Sequence, residues 1–205
     1  AEPYDITPKQ VPLVETPYRR IKTPIPHQDS VATLEKLYRY EPISMRGQPP
    51  IVWERAEGVQ VWDRYGNMWL DWSSGVLVTN AGHGIAPIRE AIIDQVNSGL
   101  LHNYCFPSEE RAALVEYLAK LAPPGPAKVF LLTTGAETTE CAIKLARSWG
   151  QRTGGERKIG IVTFENAFHG RTLGAQQIGG FAGQSDWIVN LDPDIHHVPF
   201  PDGYR

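Results

Sequence analysis

Apolar positions follow two different spacings along the chain, and each spacing predicts its own kind of element. Residues 51 to 72 carry short β-rich runs, IVWERA and VQVW, then the turn Asp63-Arg64-Tyr65-Gly66-Asn67, then MWLDW. That pattern predicts a meander of three short strands, with its tryptophans used for packing. Loops follow at Ser73-Ser74-Gly75-Val76 and at Asn80-Ala81-Gly82-His83-Gly84. From Pro87 the spacing turns helical: proline suits a first helical position, and Ile88, Ala91, Ile92 and Gln95-Val96 repeat on one face. Ser108 is placed to cap a further helix, with Glu109 and Glu110 in its first turn. Ala112, Val115, Leu118, Ala119 and Ala122 form its expected buried stripe, and Pro123-Pro124-Gly125-Pro126 stops it.

Next comes KVFLL, a continuous apolar run expected as a strand buried on both faces. A helix pattern follows, with Cys141, Ala142, Leu145, Ala146 and Trp149 on one face. After Gly154-Gly155, KIGIVTF reads as a second buried strand. The unit from 129 to 164 has the length of a βαβ crossover, which predicts parallel strands and a right-handed connection. The fold class expected is therefore α/β.

Residues 1 to 47 read differently. Prolines at 3, 8, 12, 17, 24 and 26 interrupt regular structure, leaving room for one short helix after Ser30 with Leu34, Leu37 and Tyr38 on one side. The segment is expected to be an arm, lying on another surface such as a partner subunit or else disordered. Its start, AEPYDITPKQ, is not a signal peptide, and beginning at Ala1 suggests processing or trimming.

Composition excludes some classes. With 205 residues, 41% of them hydrophobic, a packed core is feasible. A net charge of -3 with scattered Lys and Arg gives no nucleic-acid footprint. No apolar run reaches membrane-spanning length. Cys105 and Cys141 do not make a disulfide framework, Cys141 reads as a small buried hydrophobe, and a cytoplasmic protein is expected.

The candidate chemistry lies at Thr133-Thr134-Gly135-Ala136, between the expected strand and its helix. Ligands collect at the carboxyl ends of parallel strands, and the first turn of a helix has amides with no internal partner. Gly135 lets a ligand approach the backbone closely. The elbow therefore suits a phosphate dianion. Thr134 and Glu137 also have capping-box spacing, which would satisfy only some of those donors, so both readings coexist. Neither G-x-x-x-x-G-K-[ST] nor G-x-G-x-x-G is present at the elbow. The second strand continues into Phe164-Glu165-Asn166-Ala167-Phe168-His169-Gly170-Arg171-Thr172, where Phe168 could face a planar ligand whose phosphate sits in the elbow.

These segments resemble a known family. TTGAETTECAIKLAR, FENAFHGRTLGA and LDWSSGVLVTNAGHG are similar, in the right order, to three stretches of the class III aminotransferases, which depend on pyridoxal 5'-phosphate (PLP). The resemblance covers about residues 45 to 205 and is nearest to 4-aminobutyrate, acetylornithine and ornithine aminotransferases. It implies a fold-type-I transferase, with residues 1–47 as an arm, 48–100 as the N-terminal part of a small domain and linker, and 101–205 as the first part of the PLP-binding large domain. It further implies that the amides of Gly135 and Ala136, with the Thr134 hydroxyl, bind the cofactor phosphate. Phe168 would stack on the ring, His169 would sit beside it with Gly170 leaving room, and Ser74, Gly75 and Val76 would line the substrate entrance. Glu140 would be structural, and no metal is implied. The chain departs from the family pattern at Ala136, where many relatives carry a hydroxyl. It departs again at Gly82-His83-Gly84-Ile85-Ala86-Pro87, which is one residue longer and lacks a second histidine.

The family's Schiff-base lysine and the carboxylate that keeps the ring nitrogen protonated are expected beyond Arg205, since none of Lys120, Lys128, Lys144 or Lys158 occupies the family position. The chain alone is thus expected not to transaminate, to expose an unfinished parallel sheet edge, and to need a complementary C-terminal segment. The implied reaction passes an amine from an ω-amino or dibasic donor to a 2-oxo acid, in a homodimer or larger assembly. Other readings are an aminomutase or decarboxylase of the same fold, a non-catalytic subunit keeping the half-site, and a nucleotide-binding α/β domain.

Overall fold

The computed structural model describes residues 4–125 and 127–204, so Pro3 of the arm and Pro126 of the helix stop lie outside the described residues. The chain divides into two units, the first ending at Phe106 and the second beginning at Pro107.

The first unit is built on an antiparallel sheet of five short strands in the order β1-β2-β5-β4-β3. The strands are β1 Val14–Glu15, β2 Arg20–Ile21, β3 Arg55–Glu57, β4 Gln60–Trp62 and β5 Met68–Leu70. The expected meander is β3 to β5, with Ala56 opposite Val61 and Val61 opposite Trp69. Ile21, Leu34, Val61 and Met68 are its buried apolar residues. Among its described residues the proline-rich segment is tied to its own chain: β2 pairs with β5, and Lys9 pairs with Ile25. Asn67 fixes it there. Its buried Oδ1 accepts from the amides of Lys22 at 2.7 Å and Thr23 at 3.3 Å. Its Nδ2 donates to Thr23 Oγ1 and Asp63 Oδ2, both at 2.7 Å. An asparagine has two acceptor sites and two donor hydrogens, so this residue is fully used, and its burial leaves nothing unsatisfied.

The longer helices of the unit's described residues are α1 Val31–Tyr40 and α2 Ala86–Ser98. Pro87 stands in the first turn of α2, as its φ allows, and left-handed Gly99 follows the last turn. The expected α2 face is not buried by the described residues, since Ile88, Ile92 and Val96 are all exposed.

The second unit contains α3 Glu109–Leu121, α4 Gly135–Gly154, β6 Ile161–Phe164, α5 Leu173–Ile178 and β7 Ile195–Val198. Ser108 caps α3 by accepting from Arg111 N at 3.2 Å. The α3 stripe is only partly covered: Val115, Ala119 and Ala122 are half-buried, and Ala112 and Leu118 are exposed.

Two expectations are corrected here. KVFLL forms no strand: among the described residues it makes no ladder, and Phe130, Leu131 and Leu132 are exposed. A strand exists only as one side of a pairing, and sequence pattern shows the side chains that suit a sheet without showing the neighbour. A parallel pair does form, between β6 and β7, with Ile161 opposite Ile195 and Phe164 opposite Val198. It spans β6-α5-β7 in place of the predicted unit from 129 to 164.

The second correction concerns α4. Its packed face runs through Glu140, Ile143, Arg147 and Gly150, while Leu145 and Trp149 are exposed and Cys141 is half-buried. Small size decides this: a Cβ at Gly150 would lie 2.2 Å from the Lys158 carbonyl oxygen, a contact that only glycine permits. Around α5, Ala175, Ile178, Thr163, Gln176 and Ile188 are buried and make the core of this unit.

Candidate functional site

The elbow is a complete capping box. Thr134 is extended at φ -135 and ψ 160, and its Oγ1 accepts from Glu137 N at 3.1 Å. Glu137 Oε2 accepts in return from the amides of Thr133 and Thr134, each at 3.0 Å. Thr138 N reaches back to the Thr134 carbonyl at 3.1 Å. The amides of Gly135 and Ala136 are left over and have no partner among the described residues. A Cβ on Gly135 would meet nothing within 4 Å, so the side of the turn that Gly135 faces is open. Two unpaired amides at the positive end of a 20-residue helix suit an anion.

The segment after β6 is fixed against this same turn. Gly170 has φ 121, and a Cβ there would stand 2.6 Å from Ala136 Cβ and 2.8 Å from Ala136 Cα. Only glycine can adopt that φ freely and make that approach. Phe168 and His169, immediately before it, are therefore carried to the first turn of α4. Phe168 is 60% exposed and packs edgewise on Phe181, with ring centroids 6.5 Å apart, so a face is open to a ligand. His169 Nε2 lies 3.4 Å from Thr163 Oγ1, whose proton goes to the Ile178 carbonyl at 2.7 Å, so the imidazole is the donor in that contact.

Glu140 ties the two pieces together. Its Oε1 accepts from the Thr172 hydroxyl at 2.5 Å and from the amides of Gly174 at 2.8 Å and Ala175 at 3.0 Å. Burial alone would raise this carboxyl, but the hydroxyl and the two amides outweigh it and hold the group below the usual carboxylate range.

Ser74, Gly75 and Val76 lie in the first unit, in an unusual backbone. Ser74, Gly75, Val76 and Leu77 all have positive φ, at 53, 60, 64 and 66 degrees, forming one left-handed turn. Leu77 N bonds to the Ser73 carbonyl at 2.7 Å and Val78 N to the Ser74 carbonyl at 2.9 Å. Three of the four are not glycine, and each such residue costs roughly 1–2 kcal/mol in this region. Asp71 holds the turn: Oδ1 accepts from Ser73 N at 2.9 Å and Ser73 Oγ at 2.6 Å, and Oδ2 accepts from Gly75 N at 2.7 Å. His83 Nε2 meets the same Oδ2 at 2.7 Å. Burial pushes the Asp71 carboxyl up, yet the hydrogen bonds from Ser73, His83 and Gly75 together hold it well below the usual range. The turn forms one wall of a groove of about 950 Å³ that is also lined by Leu34, Leu37, Trp53, Trp69 and Trp72.

The Asp71–His83 pair is hard to see in the sequence. Its only signal is an aspartate two residues before Ser73-Ser74-Gly75, with Trp72 between, and a histidine between two glycines. Lys120 pairs with Glu116 at 2.5 Å, and Lys128, Lys144 and Lys158 are exposed. No cluster of metal-ligating side chains occurs among the described residues. No helix among them is long and apolar enough to cross a membrane.

Comparison with known proteins gives these observations a context. The model of the family Aminotransferase class-III matches residues 43–205. Succinylornithine transaminase of Salmonella paratyphi A is 35% identical over 153 residues, covering 75% of this chain and 37% of that protein. The (S)-enantioselective omega-transaminase of Thermomicrobium roseum superposes with a TM-score of 0.73 at 30% identity, over 85% of this chain and 41% of that one. A taurine:2-oxoglutarate aminotransferase from Bifidobacterium kashiwanohense, solved with PLP and glutamate, gives 0.71 at 28% identity, over 86% and 39%. The chain thus spans about two fifths of the length of these relatives.

Proposed function

The chain belongs to the class III aminotransferases, a PLP-dependent family of fold-type-I enzymes, and from that premise we propose that it carries the phosphate-binding and ring-stacking half of a transaminase site. The observation that carries the reading is the pair of unpartnered amides at Gly135 and Ala136, with Gly170 packed against the Cα and Cβ of Ala136.

The residues present fit the cofactor. The two amides and the Thr134 hydroxyl, whose proton is not used in the capping box, would hold the phosphate. Ala136 adds no side-chain contact. Phe168 would cover the pyridine ring, and His169 would stand at its side. Bound there, PLP supplies the electron sink that amine transfer needs. The chain's own work is to bind the dianion, orient the ring and keep water from one of its faces. The substrates proposed are an ω-amino or dibasic amino donor and a 2-oxo acid, entering past Ser74, Gly75 and Val76. The same proposal includes a homodimer or larger assembly and a lysine supplied from outside these residues, so this chain alone would not transaminate. It also includes a cytoplasmic location, which suits the two free thiols.

Gly135→Pro tests the site selectively. Proline is tolerated at the first helical position, and Thr134 before it is already extended, so the helix is kept while one N–H is removed. PLP affinity, followed by absorbance, should fall about ten- to a hundredfold, as expected for one hydrogen bond to a charged group. Unchanged affinity would reject the elbow as the phosphate site.

A further inference from the structure

The left-handed turn at Ser74–Leu77 and the buried pair beneath it form one device. Asp71 follows β5 directly, and its amide bonds to the Val59 carbonyl at 2.8 Å. His83 exchanges both backbone bonds with Gly58, at 2.7 and 2.9 Å. The two residues are thus anchored to the same β3–β4 hairpin tip, one on each side of the turn. Their side chains are nearly shut from solvent, at 3% exposure for Asp71 and 13% for His83, and they meet at 2.7 Å. The ring of Trp53 closes on His83 edgewise at 5.9 Å. What this frame presents is entirely different: Val76 is 75% exposed, Leu77 83% and Val78 77%. A run of left-handed residues does not persist without support, and strained backbone of this kind collects at ligand-binding positions.

We propose that Asp71 and His83 are positioning residues for the amino donor, holding the left-handed turn so that Val76 and Leu77 form an apolar lip against the donor's carbon chain. This rests on the reading of Ser74, Gly75 and Val76 as the donor entrance. The lip carries no charge, so it meets the aliphatic stretch between the donor's two polar ends and grades donors by chain length. Asp71 acts only through the backbone, by accepting from Ser73 and Gly75, and His83 acts through Asp71 by fixing its second oxygen.

The test uses the active holoenzyme containing this chain, with a homologous series of straight-chain ω-amino acids as donors. Asp71→Asn keeps the shape but replaces one of the two accepting oxygens with an NH2, so that either the Ser73 amide or the Gly75 amide loses its acceptor. The KM for the donor should rise about tenfold, more for longer donors, while kcat and PLP affinity stay within about twofold. Hydrogen exchange at Gly75, Val76 and Leu77 should accelerate by about tenfold. Adding Ser74→Gly should recover part of the KM loss, because glycine holds this φ without a pin. His83→Gln should move the same quantities in the same direction by less, and it carries the comparison if Asp71→Asn does not accumulate. An unchanged donor KM in PLP-loaded Asp71→Asn, or in His83→Gln where only that variant accumulates, overturns the proposal. So does a parallel loss of PLP affinity, which would assign the pair to general folding. Wild-type holoenzyme without transamination overturns the underlying donor reading instead, and that failure shows before any substitution is made.

Discussion

Each unit contains a carboxylate that collects hydrogen bonds, and the two serve opposite needs. Glu140 gathers the Thr172 hydroxyl and the amides of Gly174 and Ala175, joining the start of α5 to a regular, unstrained helix. Asp71 gathers Ser73, Gly75 and His83 around a turn that its own residues disfavour. Three non-glycine residues at roughly 1–2 kcal/mol each put about 3–6 kcal/mol into that turn. A full helix cap, by contrast, stabilises by only about 1 kcal/mol. A helix N-terminus is therefore self-supporting and needs little from its surroundings, whereas this left-handed turn depends on side-chain bonds from Asp71, just before it, and on His83, which fixes Asp71 from beyond it.

The comparison can be pressed hardest at Gly170. Gly170→Val introduces a Cβ into Ala136 and a branched residue at φ 121. Overpacking and the disfavoured φ together should cost about 3 kcal/mol, read as a lower denaturation midpoint. PLP affinity should fall with it, because Phe168 and His169 are displaced from the elbow. Glu140→Ala comes next: it strands two amides and a hydroxyl, for a loss of about 2–3 kcal/mol at pH 7. The sign of its pH dependence is fixed by the lowered carboxyl. A depressed folded-state pKa stabilises above the unfolded value, and that stability is lost as pH falls through the folded value. The gap between wild type and Glu140→Gln should thus be full at neutral pH and close below about pH 4, near the unfolded glutamate value. A gap that persisted under acid would remove the carboxylate from the account.

The same contrast explains what could be read from the chain. The Thr134–Glu137 box, the Ser108 cap and the three-strand meander are all local. Each depends on residues within a few positions, so spacing alone locates them. The docking of residues 9–25 is not local. It depends on Asn67, some 45 positions after Lys22, and prolines in a segment do not reveal whether its neighbours are bonded elsewhere. KVFLL has strand composition, but no pattern within it names a partner. The α4 face differs from the expected one because glycine and arginine carry its packing: Gly150 lies on Lys158, and Arg147 bonds the Ile159 carbonyl and Asp192. Hydrophobic spacing gives weight to Leu145 and Trp149 and none to a glycine. Asp71 and His83 carry little sequence signal of their own, because their use depends on the left-handed backbone of Ser74 to Leu77.

The smallest expected effect sharpens the comparison most, because the two units should answer with opposite signs. Thr134→Ala removes the oxygen that caps Glu137 N, in a helix under no strain, and should destabilise by about 1 kcal/mol. Val76→Gly also removes a side chain beside a proposed ligand, but at φ 64, where valine is disfavoured and glycine is not. Relief of roughly 1–2 kcal/mol is offset by the extra freedom of glycine in the unfolded chain, about 0.5–1 kcal/mol, which leaves a small net stabilisation. Donor KM should rise in the same variant, since the lip is lost. Thermal denaturation of the two variants side by side checks the signs. A destabilised Val76→Gly would mean that the exposed valine packs more than it strains, and the turn would then need no pin at all.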